Sequence, residues 1–267
     1  MKEIYSTARS EYHDQRIRRI AKSQIVNLDD YLEALKMEDG KLVDIHMRDG
    51  LKITLRRDRM DAVVVAEIFF DNCYLRDLSL PPNPIVVDIG GFIGDFALYA
   101  AARLRARRVV VCEPSPRNWL LLVKNIQDNH CEDRVIMVNK AVTDGRAVML
   151  DIEAPDRGGK PESPPTDRVA SKKKPVDCIS LAALLEEFKI PEMHLLKIDC
   201  EGGEYEILLS ISPEVLAGIR NIVFEYHEID GFSEKLKAVR ERLVAEGFAV
   251  KTRGGLVAAV RPVVPVN

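Results

Sequence analysis

The chain has 267 residues, 46% hydrophobic and 30% charged, which is enough for one large α/β domain with a modest extension. Its formal net charge of -3 gives no general electrostatic reason to bind nucleic acid or an anionic membrane. No apolar stretch approaches the ~18 residues that span a bilayer, no apolar signal-peptide core opens the sequence, and the cysteines form no C-x-x-C pair. We therefore expect a soluble, cytoplasmic protein with reduced thiols.

The N-terminal extension is predicted to span residues 1–80. Residues 1–35 have the composition of polar helices, with apolar positions too sparse for a core helix. Residues 41–57 alternate apolar and polar side chains around a turn at Gly50, which predicts a β-hairpin. A helix is predicted next, over residues 61–75. The extension is expected either to cover a substrate pocket or to mediate a homodimer.

The second predicted unit spans residues 81–267 and begins in a proline-rich linker. Short apolar strands alternate there with helices, a pattern typical of an α/β fold with a doubly wound, mainly parallel sheet. Two strands around Gly254 and Gly255 are predicted to close the chain as an antiparallel hairpin. Residues 153–175 are rich in proline and predict a flexible loop, either a disordered insertion or a lid. The predicted core strands lie at 85–89, 108–112, 134–142, 194–199 and 221–227.

A glycine-rich turn follows the first core strand and opens a helix. Glycines let a backbone turn sharply and approach a ligand closely, so Gly90, Gly91 and Gly94 are candidate cofactor-binding residues. The dinucleotide fingerprint would need a glycine where Ile89 stands. Asp88 would repel a pyrophosphate but attract a cationic amino-acid ligand, unless it only caps the turn. S-adenosylmethionine carries an ammonium, a sulfonium and no phosphate, so it is the favoured cofactor.

Further polar residues lie at the same edge of the predicted sheet, where such folds bind ligands. Glu113 ends the second strand, the position that holds a ribose diol in related folds. An NAD enzyme would need the same acid, so Glu113 indicates an adenosine-type ligand without selecting the cofactor. Pro114 fixes the chain beyond it, and Asn118 either caps the next helix or contacts the ligand. The other cofactor-binding candidates at this edge are Asn139 and Ala141.

Candidate catalytic residues follow the fourth and fifth strands. Asp199, Glu201 and Glu204 crowd together after the fourth strand, and Glu225 and His227 follow the fifth. Methyl transfer to a hydroxyl needs a base at about 2.6–3.2 Å from the group that loses the proton. Asp199, Glu201 and His227 are the candidate bases, and an imidazole accepts a proton near neutral pH. Carboxylates there could hold Mg²⁺ through oxygen ligands, but no spacing demands it and no metal ligand is assigned.

Several segments, taken in order, resemble the FkbM family of methyltransferases: VVDIGGFIGDFALYAA, CEPSPRNWLLLVKN, NKAVTD, LLKIDCEGGEYEIL and VFEYHE. The resemblance covers about residues 60–261, and KIDCEGGE is its most specific piece. It implies the class I methyltransferase (Rossmann-like) fold, S-adenosylmethionine as methyl donor, and O-methylation of a sugar or secondary-metabolite hydroxyl. Family character carries over to Asp88, Gly90, Gly94, Glu113, Asn118, Asp199, Glu201, Gly202 and Glu204.

Other classes of protein stay open. A dinucleotide-dependent oxidoreductase is opposed by Ile89 and Asp88. An N-methyltransferase for nucleic-acid bases or protein amides typically has an Asn/Asp-Pro-Pro-aromatic motif after the fourth strand, where residues 199–202 read DCEG. A ligand-binding module that keeps the fold without turnover is a further alternative. The favoured prediction is a small-molecule O-methyltransferase without a nucleic-acid or membrane partner.

Overall fold

The structure is a computed structural model that describes residues 18–57, 59–151, 173–200, 202–227, 229 and 231–262. The candidate base Glu201 and most of the predicted loop lie outside the described residues. The described helices are a segment over residues 18–24, α1 (Leu28–Ala34), α2 (Arg59–Phe69), α3 (Asp95–Ala102), α4 (Pro116–Asp128), α5 (Leu181–Glu187), α6 (Glu204–Ser210), α7 (Pro213–Ala217) and α8 (Phe232–Ala245).

The strands are β1 (Leu42–His46), β2 (Lys52–Arg56), β3 (Ile85–Ile89), β4 (Arg108–Cys112), β5 (Val135–Val138), β6 (Ala141–Thr143), β7 (Val148–Asp151), β8 (Lys173–Val176), β9 (Cys178–Ser180), β10 (Leu195–Ile198), β11 (Asn221–Glu225), β12 (Ala249–Arg253) and β13 (Leu256–Val260). Within the described residues, seven of them form the central sheet, in the order β12-β13-β11-β10-β3-β4-β5.

The central sheet is parallel from β11 to β5, and β13 runs antiparallel between β11 and β12. Its inner strands are nearly continuous apolar runs because helices cover both faces. The strand order reverses between β3 and β10, which places the ligand-binding crevice at their carboxyl ends. The predicted doubly wound, mainly parallel sheet with a C-terminal antiparallel hairpin is thus confirmed.

The N-terminal extension contributes to the core that lies on one face of this sheet. Ala21, Ile25 and Tyr31 are completely buried, in one apolar cluster with Val86 of β3 and Val109 of β4. The prediction that this segment is too polar for the core is therefore wrong for the residues that the structure describes. Its two helices are short, so one or two apolar side chains per turn suffice to bury one side of each against the hairpin.

Two asparagines, Asn125 of α4 and Asn129 just after its end, attach the β1–β2 hairpin to the rest of the molecule. The amide N–H of Thr54 donates to Asn125 Oδ1 at 2.7 Å, and Asn125 Nδ2 donates back to the Thr54 carbonyl at 2.9 Å. Asn129, one turn later, makes the same pair of bonds to Lys52 at 2.9 and 2.6 Å. The outer edge of β2 would otherwise present unpaired backbone groups. The asparagine amides satisfy them as a neighbouring strand would.

Three element boundaries differ from the predictions. Helix α2 ends at Phe69 instead of residue 75, and the chain turns at Asn72, whose φ of 53° lies in the left-handed region. The third predicted core strand is split, because β6 pairs with β9 outside the central sheet. Residues 173–175 of the predicted loop belong to β8, which pairs with β7. Residues 153–172 lie outside the described residues.

Among the helices that the structure describes, none combines the length and apolar character needed to cross a bilayer.

Candidate active site

Two neighbouring cavities open at the carboxyl ends of the central strands. The first, of about 220 Å³, lies between α2 and the ends of β3, β4 and β10, and the second, of about 490 Å³, lies on the β6 side. They share Gly90, Pro114 and Cys200 in their walls. A groove of about 550 Å³ also lies between α5 and α7, away from every candidate catalytic residue. Cavity size alone therefore does not identify the candidate active site. The polar residues that line the first two cavities identify it.

The glycine-rich turn brings its backbone against the loop after β10. Gly90 has a φ of 82°, and a Cβ built on it would lie 1.7 Å from the Asp199 carbonyl oxygen. Gly90 also lines both cavities. Gly91 and Gly94 instead make room for packing, because a Cβ at either position would press on Leu122 of α4. Whether Gly91 and Gly94 contact a cofactor stays a prediction.

Asp88 lies behind the cavity wall, completely buried and paired with Lys197. Its Oδ1 accepts a bond from Lys197 Nζ at 2.8 Å, and Nζ also donates to the Gly90 carbonyl at 2.9 Å. Burial raises the pKa of Asp88, although Lys197 opposes the shift. Burial alone would lower the pKa of Lys197, but Asp88 and Asp199 outweigh it and raise that pKa. This ion pair offsets the charge of Asp88. Whether Asp88 contacts a cationic ligand stays a prediction.

Asp95, the first residue of α3, is a buried carboxylate in the lining of the first cavity. Its side chain is 3% exposed, Oδ1 accepts a bond from the Phe96 N–H, and Oδ2 is buried without a hydrogen-bond partner. Burial raises its pKa to about 7. Asp95 was not predictable as a site residue, because an acid in a first helical turn is usually exposed and simply interacts favourably with the helix dipole.

Glu113, at the end of β4, lines the first cavity as expected. The backbone N–H of Phe92 donates to its Oε2, and that of Ser115 donates to its Oε1, both at 2.8 Å. A carboxylate oxygen can accept more than one hydrogen bond. The two N–H groups hold the carboxylate in one orientation, which suits a planar diol.

The remaining cofactor-binding candidates have different surroundings. Pro114 lines both cavities, and Ala141 lines the second. Asn118 lines the first cavity while its Oδ1 accepts a bond from Arg56 at 3.0 Å, so it joins α4 to the hairpin rather than capping the helix. Asn139 is exposed and donates to the Glu113 carbonyl at 2.7 Å. It thereby positions the loop that carries Glu113.

Asp199, at the end of β10, is bonded to a tyrosine from the N-terminal extension. The Tyr74 hydroxyl donates to its Oδ2 at 2.6 Å. Burial raises the pKa of Tyr74 well above its ordinary value, so the hydroxyl keeps its proton and acts as a donor. Cys200 is also adjacent, but burial raises the pKa of its thiol, which disfavours a thiolate nucleophile. Tyr74 could not be assigned from sequence, because 125 residues separate it from its partner.

His227 lies between Asp199 and the buried Glu204. Its Nδ1 is 3.0 Å from Glu204 Oε1, and its Nε2 is 4.0 Å from Asp199 Oδ1. The backbone N–H groups of Cys200 and Gly202 also donate to the Glu204 carboxylate. The structure thus brings together two of the three candidate bases, Asp199 and His227. Glu204, which was not among them, connects them to the protein interior.

This same group could hold a metal ion, since Asp199, Glu204 and His227 offer ligand atoms within 4.8 Å of one another. Several of these atoms already serve another purpose. The Tyr74 hydroxyl points its hydrogen at Asp199, and two backbone N–H groups point theirs at Glu204. A carboxylate oxygen can accept more than one bond, so these donors leave the group able to serve either as a metal site or in proton transfer.

The strand order, the glycine-rich turn after β3 and the acid after β4 define a class I methyltransferase fold of the Rossmann-like type. Residues 88–250 match the family model described as the methyltransferase FkbM domain. The chain belongs to the FkbM family of methyltransferases, as its sequence motifs predicted.

Several known proteins are similar to this chain. The 31-O-demethyl-FK506 methyltransferase FkbM of Streptomyces tacrolimicus is 26% identical over 252 residues, covering 84% of this chain and 91% of that protein. Methyltransferase sdnD of Sordaria araneosa is 25% identical over 207 residues, covering 67% and 79% respectively. The crystal structure of methyltransferase FkbM from Methylobacillus flagellatus KT matches with a TM-score of 0.49 and 13% identity, over 70% of this chain and 46% of that one.

Proposed function

We propose that the protein is an S-adenosylmethionine-dependent methyltransferase that methylates a hydroxyl of a small molecule. The observation that carries this proposal is the buried, unpartnered Oδ2 of Asp95 in the wall of the first cavity. An acceptor atom that is removed from water without a partner is costly, and a cationic donor would compensate it. The ammonium of S-adenosylmethionine is such a donor, and a pyrophosphate is not.

The other cavity residues fit the rest of that molecule. Glu113 is oriented to accept from a ribose diol, and Pro114 and Ala141 supply apolar surface for an adenine ring. Because the two cavities share Gly90, an elongated ligand can extend from one into the other. When bound, S-adenosylmethionine supplies an electrophilic methyl group on a positively charged sulfur.

A hydroxyl acceptor is supported by two neighbouring candidate bases, Asp199 in the lining of the first cavity and His227 beside it. An alcohol is a poor nucleophile at neutral pH and must lose its proton as it attacks. Asp199 and His227 lie 4.0 Å apart, with 25% and 17% of their side chains exposed, so a hydroxyl can reach them from solvent. The name of the Streptomyces tacrolimicus relative indicates that this relative methylates an oxygen of its substrate. A sugar or secondary-metabolite hydroxyl is the acceptor class that we propose, in a cytoplasmic enzyme.

Calorimetric titration tests the choice of cofactor. We expect saturable binding of S-adenosylhomocysteine and none of NAD. Asp95→Asn should weaken S-adenosylhomocysteine binding about tenfold, since a charge-assisted hydrogen bond contributes roughly 1.5–3 kcal/mol. Asp133→Asn, which changes an exposed carboxylate on the α4–β5 connection, is the matched control and should bind like the wild type. Saturable binding of NAD alone would reject the proposal.

Methyl transfer from S-adenosylmethionine with a labelled methyl group tests the acceptor. Among a panel of hydroxylated sugars and macrocyclic alcohols, some compounds should receive the labelled methyl group on oxygen. Amines of matched structure should stay unlabelled. Turnover should persist in the presence of a chelator, because the proposed chemistry uses protein bases. Labelling of amines alone, or complete loss of turnover on chelation, would require a different reaction.

A further inference from the structure

The two carboxylate oxygens of Asp199 have different surroundings. Asp199 follows β10 and belongs to the lining of the first cavity. Its Oδ2 accepts a bond from the Tyr74 hydroxyl at 2.6 Å. Within the described part of the chain, no hydrogen bond is donated to Oδ1, and Nε2 of His227 lies 4.0 Å from it, beyond hydrogen-bond distance. Oδ1 is therefore the oxygen that can accept a hydrogen bond from a substrate.

Tyr74 is held in place by contacts that do not involve Asp199. Its side chain is buried, and its ring packs edge-on against Phe96 of α3, with ring centroids 5.5 Å apart. Nζ of Lys197 lies 5.2 Å from the centroid of the Tyr74 ring, and the ion pair with Asp88 fixes this Nζ in turn. The core therefore sets the position of the Tyr74 hydroxyl before any ligand binds.

The turn that precedes Tyr74 is also bonded to the site. Asn72 has a left-handed φ, and its Oδ1 accepts a bond from the hydroxyl of Tyr99 on α3. Asp95 opens the same helix and lines the same cavity. The N-terminal extension thus places Tyr74 in the cavity wall through bonds to the helix that carries Asp95.

A carboxylate at this position is a sufficient base if its orientation is fixed. When an alcohol oxygen bonds to a methyl carbon, the oxygen becomes positively charged and its proton becomes far more acidic than in the free alcohol. A weak base can then remove the proton, provided that it is already at hydrogen-bond distance. The terminal torsion of an aspartate is broad, so a free carboxylate rotates easily. The bond from Tyr74 restricts this rotation for Asp199.

We infer that Asp199 is the catalytic base of the methyl transfer and that Tyr74, from the N-terminal extension, is the residue that positions it. This inference rests on the proposed function. The acceptor oxygen forms a bond to the methyl carbon as the carbon–sulfur bond breaks and leaves its electron pair on sulfur. The hydroxyl proton passes to Oδ1 of Asp199 and leaves to solvent when the products dissociate. Tyr74 keeps its own proton throughout.

Carbon NMR tests the hydrogen bond between Tyr74 and Asp199 without any acceptor. The protein is labelled at the tyrosine ring carbon that bears the hydroxyl, and the Tyr74 signal is identified by its loss in Tyr74→Phe. Asp199→Asn replaces a charged hydrogen-bond acceptor by a neutral one, so the Tyr74 signal should shift. It should stay in place in Asp133→Asn, at an exposed carboxylate. A Tyr74 signal that does not respond to Asp199→Asn would overturn the inference.

Turnover measurements with an acceptor from the methylation panel test the two roles. Asp199→Asn keeps the size of the side chain but cannot take the proton, so kcat should fall by about 10²–10⁴-fold. Tyr74→Phe keeps the buried ring, and kcat should fall by about 10–10²-fold while the KM for S-adenosylmethionine changes by less than about threefold. The double variant should be no slower than Asp199→Asn, because Tyr74 acts through Asp199. Wild-type kcat in either single variant, or multiplicative losses in the double variant, would contradict these roles.

Tyr31→Phe is the matched control. It also removes a buried tyrosine hydroxyl of the N-terminal extension, one that donates to the Ala62 carbonyl at 2.9 Å. We expect it to lower the Tm as Tyr74→Phe does and to keep the wild-type kcat. A similar loss of kcat in Tyr31→Phe would show that Tyr74→Phe acts through the stability of the extension and not through Asp199.

Binding of S-adenosylhomocysteine separates this inference from the proposed function. This product carries no charge on sulfur, so both single variants and the double variant should bind it within about threefold of the wild type, which also shows that they fold. A wild type that does not bind S-adenosylhomocysteine would contradict the proposed function. Intact binding together with wild-type turnover in Asp199→Asn would contradict only the assignment of Asp199 and Tyr74.

Discussion

At the residue scale, the site depends on charged side chains that the fold holds away from water. Lys197 compensates Asp88, and backbone N–H groups compensate Glu113 and Glu204. Asp88 and Asp95 each have one side-chain oxygen buried without a hydrogen bond, but Asp88 is paired with Lys197, whereas the hydrogen bond that Asp95 accepts is from the backbone N–H of the next residue. A group in that state makes the stability of the empty protein depend on pH.

Asp95→Asn should change the pH dependence of the unfolding free energy. Burial raises the pKa of Asp95 to about 7 from an ordinary 3.8, so between these values the folded chain holds a proton that the unfolded chain releases. The contribution of Asp95 to stability is therefore complete below about pH 4 and is lost as the pH rises to 7, by roughly 4 kcal/mol in total. Urea unfolding from pH 4 to 8 should show a flatter profile for Asp95→Asn, and a more stable variant than wild type at pH 8.

The matched control for this prediction is Asp133→Asn, in which an exposed carboxylate is replaced. Its profile should run parallel to that of the wild type. If the profile of Asp95→Asn were also parallel to that of the wild type, Asp95 would have the same pKa in the folded and the unfolded chain. Its carboxylate would then not be an uncompensated buried charge.

At the element scale, the hairpin is attached by side-chain amides rather than by a neighbouring strand. Asn125 is completely buried and bonds the backbone of Thr54 and the carbonyl of Ile93. Asn129 makes equivalent contacts to Lys52 nearer the surface. The two positions can be compared directly, because they lie one turn apart at the end of α4 and make the same pair of bonds to β2.

Asn125→Ala should destabilise the protein more than Asn129→Ala. Removing a buried partner leaves backbone groups of Thr54 and Ile93 unsatisfied, at about 1–3 kcal/mol each, whereas water can reach the groups released by Asn129→Ala. We expect a loss of roughly 3–4 kcal/mol for Asn125→Ala and about 1 kcal/mol for Asn129→Ala. Thermal and urea unfolding measure both values. Equal losses would show that burial does not distinguish the two sites.

Local patterns predicted the elements whose causes are local. Continuous apolar runs identified β3 and β4, and α5 begins at a local signal, Ser180, whose side chain accepts from the Ala183 N–H. The end of α2 was misplaced because its sequence stays apolar beyond Phe69, and the turn at Asn72 depends on tertiary packing. The burial of Ile25 was missed for a similar reason. It is imposed by a hairpin further along the chain.

The residues of the candidate active site also divide into those that local sequence predicts and those that depend on tertiary contacts. Gly90, Glu113 and Asp199 follow strands, and strand ends in parallel sheets meet at one edge, so their proximity was predictable. The Tyr74 hydroxyl and the unpaired oxygen of Asp95 were not, since both result from contacts between distant segments or from burial. Neither leaves a spacing that a sequence motif could reveal.

At the scale of the whole molecule, the N-terminal extension and the sheet share one apolar cluster. Ile25 of the extension and Val109 of β4 are both completely buried in it. Arg56 of the hairpin adds a buried ion pair with Asp61 of α2 at 2.8 Å. Segments that share a core in this way generally unfold together. The boundary predicted at residue 80 would then separate functions rather than independently folding units.

Ile25→Ala and Val109→Ala should therefore lower the same unfolding transition. Each removes buried methyl groups, at a cost of about 2–4 kcal/mol, and each should shift a single calorimetric peak without splitting it. Fluorescence of Trp119 on α4, the sole tryptophan of the chain, should report the same Tm. A second peak that moves only in Ile25→Ala would show an extension that folds by itself.

The close approach of Gly90 to Asp199 has a consequence for how this enzyme can diversify. With no side chain at position 90, the carbonyl of residue 199 fills the place where one would stand, and the two turns form a rigid joint. Neither turn can be exchanged for that of a homologue unless the other is transplanted with it. New substrate ranges should therefore arise by replacing the roof formed by α2, whose apolar side chains face the cavity without entering that joint.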